Sequence, residues 1–195
     1  MLIETLLISM LLAVLINKSI KWIDHIELKW AAAAFAAFFI EVVLNVACNF
    51  GSRFMIDWVC DYSLYFQMVI YYLLIVFVLR NFKVNGMLII GIGFILNAAV
   101  IFANKGFMPV DTAMGLKYNF EHTLYDLHNQ HIFGHIILNP LTKLTFLADV
   151  INVPPPYPWP KTISVGDIFI DIGVIVMVLS ACFQKDLLKK EDKTV

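Results

Sequence analysis

Residues 86–103 read Gly86-Met87-Leu88-Ile89-Ile90-Gly91-Ile92-Gly93-Phe94-Ile95-Leu96-Asn97-Ala98-Ala99-Val100-Ile101-Phe102-Ala103. No charged side chain interrupts the stretch, and Asn97 is its one strongly polar group. A helix over it is as long as the hydrocarbon layer of a bilayer is thick, which takes about 20 residues at roughly 1.5 Å each. Four more runs have the same character: about 1–16, 28–47, 62–79 and 164–183. None contains a proline. The whole chain is 61% hydrophobic and only 15% charged over 195 residues, with a mean hydropathy of +0.81. A water-facing surface needs roughly a quarter of its residues charged, so composition excludes a soluble globular enzyme. The expected fold is an all-α integral membrane protein, a five-span transmembrane helical bundle forming a single membrane domain over 1–195.

Lysine and arginine set the expected orientation, because they concentrate beside the cytoplasmic ends of spans. Lys18, Lys21 and Lys29 lie between the first two runs, Arg80 and Lys83 between the third and fourth, and Lys185, Lys189, Lys190 and Lys193 in the tail. The other side holds Arg53 in a short connection and Lys105, Lys117, Lys143 and Lys161 spread over a long one. The amino terminus is therefore expected outside and the carboxyl terminus (tail 184–195) in the cytoplasm. The first run has neither a basic leader nor a small-residue cleavage site, so it reads as a retained span. A net charge of −1 offers no basic surface for nucleic acid. Cys48, Cys60 and Cys182 lack metal-type spacing.

The connection 104–163 becomes a structured extracytoplasmic loop between spans four and five. Ile136, Ile137, Leu141, Leu144 and Leu147 or Ala148 follow helical spacing, which predicts a surface helix starting at Pro140 with Asn139 as its cap. Pro154-Pro155-Pro156-Tyr157-Pro158-Trp159-Pro160 predicts an extended strap returning the chain to the last span.

Polar groups inside apolar helices face the bundle interior and mark sites or interhelical hydrogen bonds. On that ground Glu41, with Asn45 one turn on, and Asp167 and Asp171 on the last run are candidate binding residues. Ser164 and Asp167 also fit a capping box. His128, His131 and His135 are spaced three and four apart, so one helical face can present all three imidazoles to a metal ion. No glycine-rich phosphate loop and no nucleophile motif accompanies them.

Three stretches together resemble one family. They are Asn104-Lys105-Gly106-Phe107-Met108-Pro109-Val110, then Leu147-Ala148-Asp149-Val150 followed by Pro154, then Ser164-Val165-Gly166-Asp167 leading to Gly173. The chain resembles the uncharacterised bacterial multi-pass membrane proteins called domain of unknown function 5317. The resemblance implies a small protein of the bacterial cytoplasmic membrane and no particular reaction, and it lends nothing to the histidines.

All three stretches fall at the same end of the expected bundle, so Asn104, Met108, Asp149, Ser164 and Asp167 are expected to meet in one binding site. The leading functional expectation is a non-enzymatic accessory or interaction protein whose external loop contacts a membrane partner, lipid or peptide. Two alternatives stand beside it. One is a small transporter, or the substrate-binding subunit of one, using Glu41, Asp167 and Asp171. The other is a membrane-embedded metal-dependent hydrolase or transferase using the histidines.

Overall fold

The computed structural model describes residues 2–17, 27–118 and 121–191. Each of the five apolar runs forms a helix: α1 (Leu2–Asn17), α2 (Ala31–Phe50), α4 (Ser63–Arg80), α5 (Met87–Ala103) and α8 (Val165–Glu191). A short helix α3 (Arg53–Asp61) joins α2 to α4, opened by Ser52, whose hydroxyl accepts from the Met55 N–H. Among the described residues three helical segments are long and apolar enough to cross a membrane: Ala31–Phe50, Ser63–Arg80 and Val165–Cys182. Helix α5, with 17 residues, is a shorter apolar helix. Helix α8 continues beyond residue 183, where the sequence had suggested a tail, because Gln184 to Glu191 contain neither glycine nor proline and favour helix. Lys18, Lys21 and Lys193, which entered the orientation argument, lie outside the described residues.

The long helices pack in a row, α2 on α4, α4 on α5, α5 on α8 and α8 on α1. Small residues make the α5–α8 seam close. A Cβ on Gly93 would come within 2.6 Å of Ile170 Cγ1 and 2.9 Å of its backbone nitrogen. Backbones approach this closely at helix interfaces only where side chains are missing. Helix α2, at the other side of the row, makes no extended contact with α5 or α8.

Paired asparagine contacts tie the ends together. Asn81, after α4, donates to the Lys29 carbonyl and accepts from the Lys29 N–H, both at 2.7 Å, which clasps the start of α2. At the opposite end Asn104 makes the same two-way bond with the Lys143 backbone, both at 2.9 Å. Ser63 donates to the Gly106 carbonyl at 2.8 Å.

The connection between α5 and α8 departs from expectation in one respect. No α-helix forms from Pro140. Asn139 accepts from the Leu141 N–H and Thr142 closes a turn back to Asn139, so the chain bends where the helix was expected to begin. Leu144 then adopts a left-handed conformation (φ 53°), and only a single 3-10 turn, Thr145–Leu147, follows. Leu141 and Phe146 are exposed; helical spacing had no apolar surface to meet.

Short extended segments form a lid instead. Strand β1 (Met108–Val110) pairs in parallel with β2 (His135–Ile137), and on its other side Val110 bridges to Asp149. Two small helices, α6 (Ala113–Lys117) and α7 (Glu121–His128), lie between β1 and β2. Strands β3 (Ile151–Val153) and β4 (Lys161–Ile163) pair antiparallel, Ile151 with Ile163. The proline-rich strap is thus the loop of a hairpin that brings Asp149 back beside the start of α8.

Candidate functional site

Between α2, α4, α5 and α8, beneath the lid, lies a cavity of about 570 Å³. Its body is apolar, with Ile70, Leu74, Ile90, Phe94, Ile170 and Val174 on the walls. Its polar groups are Glu41, Gln67, Tyr71, Asn97, His135, Asp149 and Asp167. Among the described residues no lysine or arginine lines it. Phe38 and Glu41 on α2 line the cavity and are also exposed, on the side where α2 does not pack on α8. That gap is the mouth.

Asp167 and Asp149 share the cavity but differ in their surroundings. Asp167 is fully engaged. Its Oδ2 accepts from the Ser164 N–H at 3.0 Å, and its own N–H donates to Ser164 Oγ at 3.0 Å, the capping box read from the sequence. Its Oδ1 accepts from Asn97 Nδ2 at 2.9 Å, and Ser164 Oγ donates to Asn97 Oδ1 at 2.9 Å. Ser164 and Asn97 are both buried, so this closed network joins α5 to the start of α8.

Asp149 is held through its backbone. Its N–H donates to the Pro109 carbonyl at 3.0 Å and its carbonyl accepts from Asp111 at 2.8 Å, which fixes it in the lid beside β1. The residue is 7% exposed, and its Oδ1 has no hydrogen-bond partner. Oδ2 stands 4.0 Å from His135 Nε2. Burial, with the nearby Asp167 charge second, pushes the Asp149 carboxyl up to about 8. His135 Nδ1 lies 2.9 Å from the Phe133 carbonyl, which can only accept, so Nδ1 carries the hydrogen. In the neutral ring the Nε2 facing Asp149 is therefore an acceptor.

The remaining expected residues separate. Met108 lines the cavity; Asn104 does not, being occupied with Val100 and Lys143. Asp171 is turned to α1, where it shares a hydrogen bond with Thr5, so the two aspartates of α8 serve different neighbours. Asn45 accepts from the Phe133 N–H at 3.1 Å and holds the lid to α2.

The histidine face does not form. His128 ends α7, His131 follows the turn after it and His135 is in β2, because the helix ends at His128 and Gln130 takes a left-handed conformation (φ 60°). Asp126 collects His122 at 2.8 Å and His131 at 3.4 Å. Among the described residues no group of three histidine, cysteine or carboxylate side chains is placed to hold a metal ion. None of the three cysteines is in a disulfide.

Sequence reading missed Tyr71 and the Phe133–Gly134 edge of the cavity, and it placed His135 with the wrong partners. The parallel pairing of β1 with β2 puts His135 near Asp149, and residues so far apart carry no local signal of that pairing.

The model of a family of unknown function, DUF5317, matches residues 25–179. The chain belongs to this family. The matched region contains the cavity, the lid and the Asn97–Ser164–Asp167 network of this DUF5317 chain. A relative from Thermotoga maritima, described as an uncharacterised protein, is 34% identical over 113 residues, 57% of this chain. The match spans 62% of that relative's length. No solved structure matches.

Proposed function

We propose that this DUF5317 protein is a non-enzymatic, multi-pass protein of the bacterial cytoplasmic membrane that binds one small amphiphilic molecule drawn from the bilayer. The observation that carries the reading is the cavity of about 570 Å³, apolar along its body and open beside α2, with Asp149 among its few polar lining groups. Ligand sites in this size range are largely apolar with a few placed polar groups. In this reading all five apolar helices cross, α1 and α5 as the short members. The lid faces outward and the carboxyl terminus lies in the cytoplasm, as the lysine distribution requires. The mouth between α2 and α8 then opens to lipid, and an amphiphile enters sideways with its tail among Leu74, Ile90 and Val174.

Extraction and mass spectrometry of the chain purified in lipid nanodiscs test this. The native chain is expected to retain about one molecule beyond the lipid of empty nanodiscs. Ala34→Phe, which fills the cavity from α2, is expected to lose it. Identical extracts from native chain, variant and empty nanodiscs would end the proposal.

A further inference from the structure

The cavity reading leaves the chemistry of the ligand's head open, and the groups at the polar end constrain it. Glu41 from α2, Asp149 from the lid and Asp167 from α8 bring carboxyl groups to one space that no lysine or arginine among the described residues lines. Asp167 is saturated by Ser164 and Asn97. What remains on the cavity side is Asp149 Oδ2, since Oδ1 is enclosed by protein, and His135 Nε2, an acceptor while Nδ1 serves Phe133. These two residues come from adjacent lid segments that flank β1, and Oδ2 of the carboxylate is 4.0 Å from the imidazole nitrogen. At that separation they make no direct hydrogen bond. Gln67 and Tyr71, the donors already on the wall, make no hydrogen bond to either group. The missing component is therefore a donor with more than one N–H or O–H. Positive charge suits it best, since the Asp167 carboxylate, joined by that of Asp149 once ionised, disfavours an anion and gains from a cation.

Resting on the cavity reading, we infer that the lid end of the cavity, between Asp149 and His135, is a head-group subsite for an ammonium ion, and that the ligand is an amphiphile with a single cationic amine head. One N–H of the ammonium donates to Asp149 Oδ2 and a second to His135 Nε2, while the carbon tail lies along α5 and α8. Asp149 is the specificity residue, because its lid strand fixes its position independently of the helices.

Three probes with one tail separate the possibilities: octylammonium, octanol and octanoate, titrated calorimetrically at about pH 9, where Asp149 is ionised, into the full chain in nanodiscs with empty nanodiscs subtracted. Octylammonium is expected to bind at least roughly tenfold tighter than octanol, the worth of one charge-assisted hydrogen bond, with octanoate weakest. Asp149→Asn is expected to bring octylammonium to the octanol level. Octanol or octanoate binding as tightly as octylammonium overturns the cationic head and leaves the cavity reading standing, as does an Asp149→Asn chain that keeps the full preference. Binding of none of the three above empty nanodiscs overturns the cavity reading and this inference together.

Discussion

The seam between α5 and α8 and the gap between α2 and α8 are built from similar apolar residues and have opposite outcomes. At the seam, glycine backbones touch and every polar group finds a partner within the protein, as Asn97, Ser164 and Asp167 show. Across the gap the helices stand apart, Glu41 and Phe38 are exposed, and Asp149 lies beneath the lid with no hydrogen bond to its carboxyl. The seam therefore serves folding. The gap retains polar groups of the kind that binding sites use, and the lid over it is tied to α2 by Asn45.

The contrast breaks most severely at the seam. Gly93→Leu drives a side chain into Ile170 and the Gly166 carbonyl, and overpacking of this kind costs about 3 kcal/mol or more. Thermal unfolding in detergent is expected to show a large drop in Tm or failure to obtain folded chain. A variant as stable as the native chain would mean the helices are not in contact there.

A smaller loss is expected from Asn97→Leu. It deprives Ser164 Oγ and Asp167 Oδ1 of partners while preserving volume, at about 1–3 kcal/mol. The same unfolding measurement applies, and a neutral result would show that the start of α8 is held by its capping box alone.

On the open side the sign reverses. The Asp149 carboxyl sits at about 8 in the folded chain against an ordinary 3.8, so between those values the folded state binds the extra proton. Stability from this residue is complete below about pH 4 and is lost as pH rises through about 8. Asp149→Asn, which mimics the protonated form, is expected to flatten this slope and to exceed the native chain in stability above pH 8, by roughly 1–3 kcal/mol. Unfolding midpoints across that range for both chains decide it; parallel curves would show that Asp149 is not buried.

The smallest effect belongs to the rim of the lid. His122 is 92% exposed at its side chain and pairs only with Asp126, so His122→Ala is expected to change stability by less than about 1 kcal/mol. A larger loss would mean that the histidine region takes part in the lid's support.

Much of this architecture was legible in the chain. Uncharged runs such as 86–103 specify helices because a long apolar stretch must satisfy its backbone internally, and the helices form within a few residues of the expected positions. The capping box at Ser164 and Asp167 was readable because its spacing is local. The surface helix after Pro140 was not. Periodicity marks which face would be apolar, but it does not say whether anything lies there to cover it, and Leu141 ends up exposed.

The sequence by itself determined the helices, the glycines that let two of them meet, and the stretches around Asn104, Asp149 and Ser164 that gather at one end. Only the tertiary structure decided how these polar residues divide. Asp167 is engaged with Asn97, Asp171 is turned to α1, and Asp149 is left facing His135 across 4.0 Å. The physical reason is range. Helix formation and capping depend on neighbours along the chain, whereas the partners of a buried carboxylate are set by which distant segments pack beside it, here the pairing of β1 with β2 and the hairpin that returns to α8.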